Sequence, residues 1–238
     1  MTTLVTQQWI SVSLANGLED MPAYLVSPEG ESKGSIVMLQ EIFGVNDAMR
    51  QKAQEFAALG YDVLLPDLFW RQKPKLSLGY SEEDRKAGFG YMQQYDQYAG
   101  TLDLRESIAF MRRRDPKRRK VAVVGFCLGG RMAVLASAGN DDVAAVVSFY
   151  GVRLDLCEAD LRRVDAPFQF HVGDKDAHIP AEHVESVKQS AHAMQNADVF
   201  VYPGAQHGFF NRARSDVFDP DASELGMRRA ASLLETAI

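Results

Sequence analysis

The sequence predicts an α/β protein with a mostly parallel central sheet and helices on both of its faces. Short apolar runs alternate along the chain with stretches in which apolar residues recur at helical spacing. This alternation is typical of a parallel sheet that is buried between two layers of helices. With 238 residues and 46% hydrophobic content, the chain is long enough for such a core, and we expect one domain over residues 1–238.

The first half of the chain predicts an antiparallel strand pair followed by alternating elements. The pair is formed by WISVSL and PAYLVSP, and the next two strands are SIVMLQ and YDVLLPD. The helix between those two strands has one apolar face, consisting of Met49, Ala53, Phe56 and Ala57. Gly60 follows this helix at the position where a glycine commonly terminates a helix. A more polar stretch follows, with a loop around Pro74 and a helix from Glu82 onward.

The second half predicts four further strands and three helices. The strands are KVAVVGF, VAAVVSFYG, APFQFHVG and DVFVYPG. The apolar positions of the three helices are Leu128, Met132 and Leu135 in the first, Val184, Val187, Ala191 and Met194 in the second, and Met227, Ala230, Ala231 and Leu234 in the third.

Charge and composition argue against several classes of partner. A formal net charge of −6 is unfavourable for nucleic acid, and no apolar stretch is long enough to span a membrane. The N-terminal MTTLVTQQWI lacks the features of a secretory signal, so we expect a cytoplasmic protein. Cys127 and Cys157 are too few for a disulfide framework and should both be thiols. We expect no cofactor.

One strongly basic segment, RRRDPKRRK, extends from residue 112 to residue 120. It follows the helical pattern Leu104, Ile108 and Met111, and cations at the C-terminus of a helix are favoured by the helix dipole. We therefore interpret the segment as a solvated helix end and loop. A nucleic-acid surface is the alternative interpretation, but such a surface usually recruits basic residues from several elements.

The motif GFCLGG places Cys127 between glycines at the predicted passage from a strand to a helix. The form G-x-nucleophile-x-G in this context is typical of a nucleophile elbow, in which glycines prevent steric clashes around a tight turn. The helix that begins at Leu128 directs free backbone N–H groups toward the sulfur, which favours a thiolate and an oxyanion. The alternative is a buried, inert cysteine behind a strand.

A thiol nucleophile needs a base, and the base needs an orienting acid. The strand that ends at Val172 is followed by Asp174 and Asp176, and the strand that ends at Tyr202 is followed by His207 in a glycine-flanked loop. The chain order of nucleophile, acid and histidine is the order found in α/β-hydrolases.

A metal site is the alternative interpretation of HVGDKDAHIP, because this segment offers oxygen and nitrogen ligands. We do not favour it, since His171 should point along its strand and no second cluster of ligands occurs in the sequence.

Over nearly its whole length the sequence resembles the dienelactone hydrolase family, the carboxymethylenebutenolidases of aromatic degradation. The combination of QEIFG with a cysteine elbow is highly specific for this family. The similar stretches are QEIFGVN, GYDVLLPDL, GFCLGG, FYGV, GDKDAHIP and GAQHGF.

The resemblance implies an α/β-hydrolase fold and a catalytic triad of Cys127, His207 and Asp176. It assigns the acid to Asp176, because the acid of the family stands four residues before the proline, here Pro180. It also implies that Glu41 takes part in activating the thiol when substrate arrives. The backbone N–H groups of Leu128 and Ile42 would form the oxyanion hole.

The lactone of the family carries a carboxylate, which this acidic protein would have to bind with local cations. By resemblance, Arg85 stands near the position of one carboxylate-binding arginine, with a gap of one residue. A second arginine follows the catalytic histidine in the family. The segment HGFFNRAR is one residue longer here, so Arg212 is the candidate and Arg214 the alternative.

The sequence is compatible with three functions. The first is a hydrolase of small anionic lactones or esters, with conversion of dienelactone to maleylacetate as its reaction. The second is a carboxylesterase of other specificity. The third is a non-catalytic binding protein with the same fold, against which the presence of nucleophile, base and acid together argues.

Overall fold

The computed structural model describes residues 5–15, 17 and 19–238, and in this part of the chain it has the predicted α/β architecture with an eight-stranded, mostly parallel sheet. The strands are β1 (Val5–Ser13), β2 (Asp20–Pro28), β3 (Gly34–Leu39), β4 (Tyr61–Pro66), β5 (Val121–Phe126), β6 (Val143–Phe149), β7 (Phe168–Gly173) and β8 (Ala197–Tyr202). The helices are α1 (Asp47–Ala58), α2 (Glu82–Gln93), α3 (Gln97–Arg114), α4 (Leu128–Ser137), α5 (Glu158–Leu161), α6 (Ala181–Met194) and α7 (Pro220–Ala237).

Two compact units make up the chain. The first consists of Met1–Val121 and Ile238, and the second of Ala122–Ala237. The expectation of one domain over residues 1–238 stays a prediction. The absence of a secretory signal in the N-terminal MTTLVTQQWI also stays a prediction. Residues 1–4 of this stretch lie outside the described residues. None of the described helices is both long and apolar enough to cross a membrane.

In the first unit the strands are hydrogen-bonded in the order β1-β2-β4-β3. The pair β1–β2 is antiparallel, as predicted, and β2 is also antiparallel to β4, whereas β3 and β4 are parallel. Helix α1 buries the four predicted apolar residues and also Lys52. Gly60 follows this helix with φ of +104°, a backbone conformation that glycine adopts without strain.

A short segment after β3 is held by hydrogen bonds to the loop that precedes α2. The Asn46 side chain accepts a bond from the Met49 N–H at the start of α1 (3.1 Å) and donates to the Leu78 carbonyl (2.9 Å). Gly44, with φ of +81°, forms an isolated β-bridge with Ser77. Gly44 and Asn46 are therefore held by the loop that precedes α2, and Asn46 also caps α1.

In the second unit the strands follow the order β5-β6-β7-β8, and β6, β7 and β8 run parallel to one another. Its core is rich in aromatic rings. Phe126 and Phe149 stack with centroids 5.1 Å apart, and Phe210 lies 4.2 Å from Phe149. His171 of β7 stacks on Phe149 at 4.5 Å.

The buried faces of three helices differ in part from the predicted ones. Helix α7 packs on a face of small residues, because Gly226 allows a close approach to the ring of Phe149, where an added Cβ would be 3.2 Å away. The predicted apolar residues that are only partly buried are Leu135, Met194, Met227 and Ala231. The 3-10 turn Leu154–Leu156 and the short α5 were not predicted from the sequence.

The basic segment forms the end of a helix and a loop, as predicted. Helix α3 buries Leu104, Ile108 and Met111 and has three arginines in its last turn. Beyond it, the buried carboxylate of Asp115 accepts hydrogen bonds from the side chain of Arg119 (2.7 Å) and from the backbone of Lys117. The Arg119 side chain of the basic segment thus stabilises the loop that follows α3.

Candidate active site

The second unit brings the predicted nucleophile, acid and base to one edge of its sheet. Cys127 directly follows β5, Asp176 lies in the loop after β7, and His207 lies in the loop after β8. The carboxyl ends of parallel strands meet at one edge, which is where open α/β sheets carry their sites. This topology explains why residues so far apart in sequence come together.

Cys127 has a strained backbone at the strand-to-helix turn. Its φ of +54° and ψ of −114° are sparsely populated for a residue with a side chain. Hydrogen bonds hold this conformation, because the Cys127 N–H donates to Phe149 (3.0 Å) and its carbonyl accepts from Gly130 (3.1 Å) and Val152 (3.3 Å). Cys127 is only 9% exposed, so the thiol lies in a largely desolvated place.

The glycines around Cys127 are required by close backbone contacts. A Cβ at Gly125 would clash with the carbonyl oxygen of Gly129 in the first turn of α4. A Cβ at Gly130 would lie 2.7 Å from the Cα of Gly151. Helix α4 therefore begins directly after Cys127 and close against its neighbours.

Hydrogen bonds connect the three side chains. The Asp176 carboxylate accepts a bond from Nδ1 of His207 (2.8 Å), and His207 also forms a hydrogen bond with Cys127. Burial opposes protonation of His207, but the negative charge of Cys127 and the bonds to Asp176 and Cys127 outweigh it and raise the pKa of His207 to about 10. An imidazolium stabilised in this way is suited to accept and hold the proton of a thiol.

The other acid, Asp174, has a different partner. Its exposed carboxylate accepts a hydrogen bond from the backbone N–H of Gly204 (2.7 Å) and ties the two loops together. The sequence offers both acids, and the family resemblance assigns the role to Asp176. In the folded loop Asp176 is the acid that is hydrogen-bonded to His207.

Two aromatic side chains that sequence reasoning did not single out contact His207. The ring of Tyr150 meets it in an edge geometry with centroids 4.9 Å apart, and the ring of His178 does so at 4.7 Å. Tyr150 has a positive φ of +40° and directly follows β6. The sequence indicated Tyr150 only through its position in the FYGV stretch.

His171 is committed to the core, which disfavours the metal-site interpretation of HVGDKDAHIP. Its Nδ1 is hydrogen-bonded to the hydroxyl of Tyr202 (2.8 Å) and its Nε2 to the side chain of Gln169 (3.2 Å). Burial, with the charge of Arg229, lowers the pKa of His171 to about 3. Among the described residues no group of three or more His, Cys, Asp or Glu side chains could hold a metal ion.

The two arginines that follow His207 have different surroundings. Arg212 is exposed and its guanidinium lies 5.4 Å from the ring centroid of Phe218. Arg214 has a side chain that is 11% exposed and pairs with Asp216 at 3.1 Å. It also packs so closely on Gly208 that an added Cβ there would lie 2.9 Å from Nη1 of Arg214. Arg214 is thus held against the residue that follows His207.

The first unit holds the remaining candidates, Glu41, Ile42 and Arg85. Glu41 and Ile42 follow β3 and are buried, at 3% and 5% exposure. Arg85 lies in the first turn of α2 and is partly exposed. One turn further on, Gly88 packs on Ile42, and a Cβ at Gly88 would be 2.8 Å from the Ile42 carbonyl oxygen. The face of α2 that carries Arg85 is therefore next to the segment that carries Ile42.

A strained cysteine at the end of a strand, with an acid and a histidine after later parallel strands, defines an α/β-hydrolase, and this chain has the α/β-hydrolase fold. The chain belongs to the dienelactone hydrolase family, whose sequence model matches residues 21–238.

Individual relatives agree with this assignment. The chain is 33% identical over 213 residues to the carboxymethylenebutenolidase of Pseudomonas putida, with 89% of each chain covered. It is 30% identical over 214 residues to carboxymethylenebutenolidase 1 of Cupriavidus pinatubonensis, covering 89% of this chain and 90% of that protein. The protein is accordingly a hydrolase that acts on ester or lactone bonds.

Solved structures show the same fold. A candidate dienelactone hydrolase from Klebsiella pneumoniae superimposes with a TM-score of 0.85 at 25% identity, covering 97% of this chain and 98% of that one. The dienelactone hydrolase from Anabaena variabilis gives a TM-score of 0.73 at 21% identity, covering 98% and 99%.

Proposed function

We propose that this hydrolase is a cysteine enzyme that opens an anionic lactone, converting dienelactone to maleylacetate through a thioester intermediate. The observation that carries the proposal is the hydrogen-bonded series Cys127, His207 and Asp176 at the ends of three strands. Membership of the dienelactone hydrolase family supports the choice of substrate class. We expect no cofactor and no nucleic-acid or membrane partner.

In the first half-reaction His207 takes the proton of the Cys127 thiol, and the thiolate attacks the lactone carbonyl carbon. The ring C–O bond then breaks, and the leaving enolate oxygen, which stays attached to the acyl chain, takes the proton from His207 and becomes an enol. The product of this step is a thioester on Cys127. Asp176 keeps Nδ1 of His207 protonated, so that Nε2 is the atom that faces the thiol.

In the second half-reaction water cleaves the thioester. His207 removes a proton from the water, and the resulting hydroxide attacks the thioester carbonyl. The thiolate of Cys127 then leaves and takes the proton back from His207. The enol tautomerises to a ketone, and maleylacetate is released. Both tetrahedral intermediates carry an oxyanion, for which we propose the backbone N–H groups of Leu128 and Ile42 as donors.

Glu41 is proposed to assist the deprotonation of the thiol once substrate is bound, as the family resemblance implies. Such a device is chemically reasonable, because a group that favours the thiolate more strongly once substrate is bound limits its exposure to oxidation and stray alkylation. The low exposure of Glu41 is compatible with a role inside a closed site.

For the carboxylate of the substrate we propose Arg85 and one arginine of the loop after His207. Arg212 is the candidate by position in the sequence, whereas the packing of Arg214 against Gly208 favours Arg214. Alanine substitution of each, assayed with acidic and neutral substrates, separates the two. The altered spacing of this arginine also supports the second candidate function, a carboxylesterase that prefers substrates other than dienelactone.

The direct test compares hydrolysis of cis- and trans-dienelactone with hydrolysis of p-nitrophenyl acetate. Turnover of a dienelactone well above that of the neutral ester supports the proposal, and efficient turnover of the neutral ester alone favours the general carboxylesterase. Mass spectrometry of acid-quenched enzyme should detect the acyl group on the peptide that contains Cys127.

Substitution of Arg85 by alanine should selectively damage hydrolysis of the anionic lactone. We expect kcat/KM for the lactone to fall by roughly 30-fold, or about 2 kcal/mol, because a charge-assisted hydrogen bond is lost. Hydrolysis of p-nitrophenyl acetate should stay near the wild-type rate. Equal losses on both substrates, or no loss on the lactone, would exclude the proposed role of Arg85.

Replacement of Gly88 by alanine should disturb the site without touching a reacting group. The new Cβ would lie 2.8 Å from the Ile42 carbonyl oxygen, so α2 or the segment after β3 must shift. We expect a loss of about tenfold or more in kcat/KM, since small displacements in a site have large kinetic effects.

Gly90 of the same helix provides the matched control, because a Cβ at that position meets nothing within 4 Å. Gly90→Ala should keep full activity and stabilise the helix by roughly 0.5–1 kcal/mol. Full activity in both variants would show that the contact between Gly88 and Ile42 is unimportant for catalysis.

A further inference from the structure

His178 makes two contacts with the catalytic pair that the proposed mechanism does not use. It belongs to the loop after β7, two residues beyond Asp176. Its backbone N–H donates to Oδ1 of Asp176 (2.8 Å), and Oδ2 of the same carboxylate accepts from His207 (2.8 Å). Its ring meets the ring of His207 with centroids 4.7 Å apart and an interplanar angle of 74°. The same residue thus supports both partners of the His207–Asp176 bond.

Besides Cys127, three neighbours in this unit determine the orientation of His207. Asp176 fixes the position of Nδ1, while the rings of Tyr150 and His178 contact the imidazole in edge geometry. Tyr150 is almost fully buried, whereas His178 is exposed. The hydrogen bonds to Asp176 and Cys127 act on the ring nitrogens, and the two ring contacts limit the tilt of the imidazole and so help to direct Nε2.

The charges around His178 favour its neutral form. Partial burial, the positive charge of His207 and that of Arg214 lower the pKa of His178, against the opposing charge of Asp176. Two cationic rings at this separation would repel each other, so the imidazolium form of His207 is compatible with a neutral His178. Protonation of His178 is therefore confined to acid pH.

We propose that His178 is a positioning residue for His207. Its uncharged ring supports the imidazole that bonds Asp176, and protonation of His178 at acid pH withdraws that support. The inference rests on the proposed function of Cys127, His207 and Asp176, and it adds a residue that sets the acid limit of the activity without contacting the substrate carbonyl.

Two substitutions separate the ring from its charge. In His178→Phe an aromatic ring remains but cannot be protonated, so kcat at pH 8 should stay within about twofold of the wild type. At pH 5.5 this variant should keep about threefold more of its pH 8 activity than the wild type keeps. In His178→Ala the ring is lost, and kcat should fall by about tenfold at every pH with little change in KM.

His192, an exposed histidine of α6, serves as the control, and His192→Ala should match the wild type in rate and in pH profile. Two results would overturn the proposal. One is that both His178 variants retain the wild-type kcat and the wild-type acid limb. The other is that phenylalanine is as damaging as alanine at pH 8, which would mean that a specific atom of His178 is needed.

A measurement without substrate distinguishes failure of this inference from failure of the proposed function. The proton on Nδ1 of His207 can be followed by NMR in 15N-histidine-labelled protein. Its exchange with water should be slow in the wild type and in His178→Phe, and faster in His178→Ala. If Cys127→Ala still hydrolyses esters, the proposed function fails, whereas equal exchange rates in all three proteins would overturn the positioning role alone.

Discussion

Cys127→Ala should lower kcat for lactone and ester hydrolysis by about a thousandfold or more, as removal of a nucleophile does in other triad enzymes. In the proposed mechanism the sulfur of Cys127 attacks the carbonyl and carries the acyl group, so no thioester can form without it. The substitution removes only one buried sulfur from a turn that backbone hydrogen bonds hold, and the protein should stay folded. Steady-state kinetics and a thermal melt measure both effects.

Cys127→Ser is the sharper comparison. The hydroxyl is much less acidic than the thiol, so His207 cannot generate the anion as readily, and we expect this variant also to be poor. The pKa of His207 should fall toward its ordinary value in Cys127→Ala, because the negative charge of Cys127 helps to raise it. Near-native turnover in Cys127→Ala would exclude the cysteine mechanism.

Asp176→Asn should lower kcat by roughly a thousandfold or more, an effect known for the corresponding change in triad proteases. The asparagine oxygen can still accept the N–H of His178, which turns the amide nitrogen toward Nδ1 of His207. Nδ1 must then act as an acceptor, so the proton of a neutral imidazole moves to Nε2. That tautomer cannot take the proton of the thiol.

Asp174→Asn is the matched control from the same loop. Its side chain is exposed and accepts the N–H of Gly204, which an asparagine oxygen can also do, so kcat should change little. The comparison needs only kcat and KM for the two variants. If the larger loss occurred in Asp174→Asn, the acid would have been assigned to the wrong residue.

Much of the fold was predictable because local patterns and tertiary packing agree. The alternation of apolar strands and amphipathic helices was confirmed from β1 to α7, and α1 buries the predicted apolar face. The differences arise where contacts with other segments determine which face of a helix is buried. Helix α7 buries Gly226 in place of Met227, because Gly226 lies against the rings of Phe149 and Phe210, where an added Cβ would be 3.2 and 3.4 Å away.

For the candidate site, the sequence by itself determined which residue types follow each strand. Cys127 between glycines, an acid after one strand and His207 after the next follow from periodicity and chain order alone. Those are local properties, since strand ends and turn glycines are set by short-range sterics. The sequence could not choose between Asp174 and Asp176 without the family resemblance, nor between Arg212 and Arg214.

The tertiary structure decided which side chains meet. It joins Asp176 to His207, holds Arg214 against Gly208, and places the ring of His178 against the imidazole of His207. These contacts depend on how the two loops after β7 and β8 fold over the sheet edge. One residue of shift in a loop turns a side chain away from its partner, and such a shift leaves no trace in hydrophobic periodicity. The positions of Asp176 and His178 beside His207 were therefore fixed by packing between segments distant in the chain.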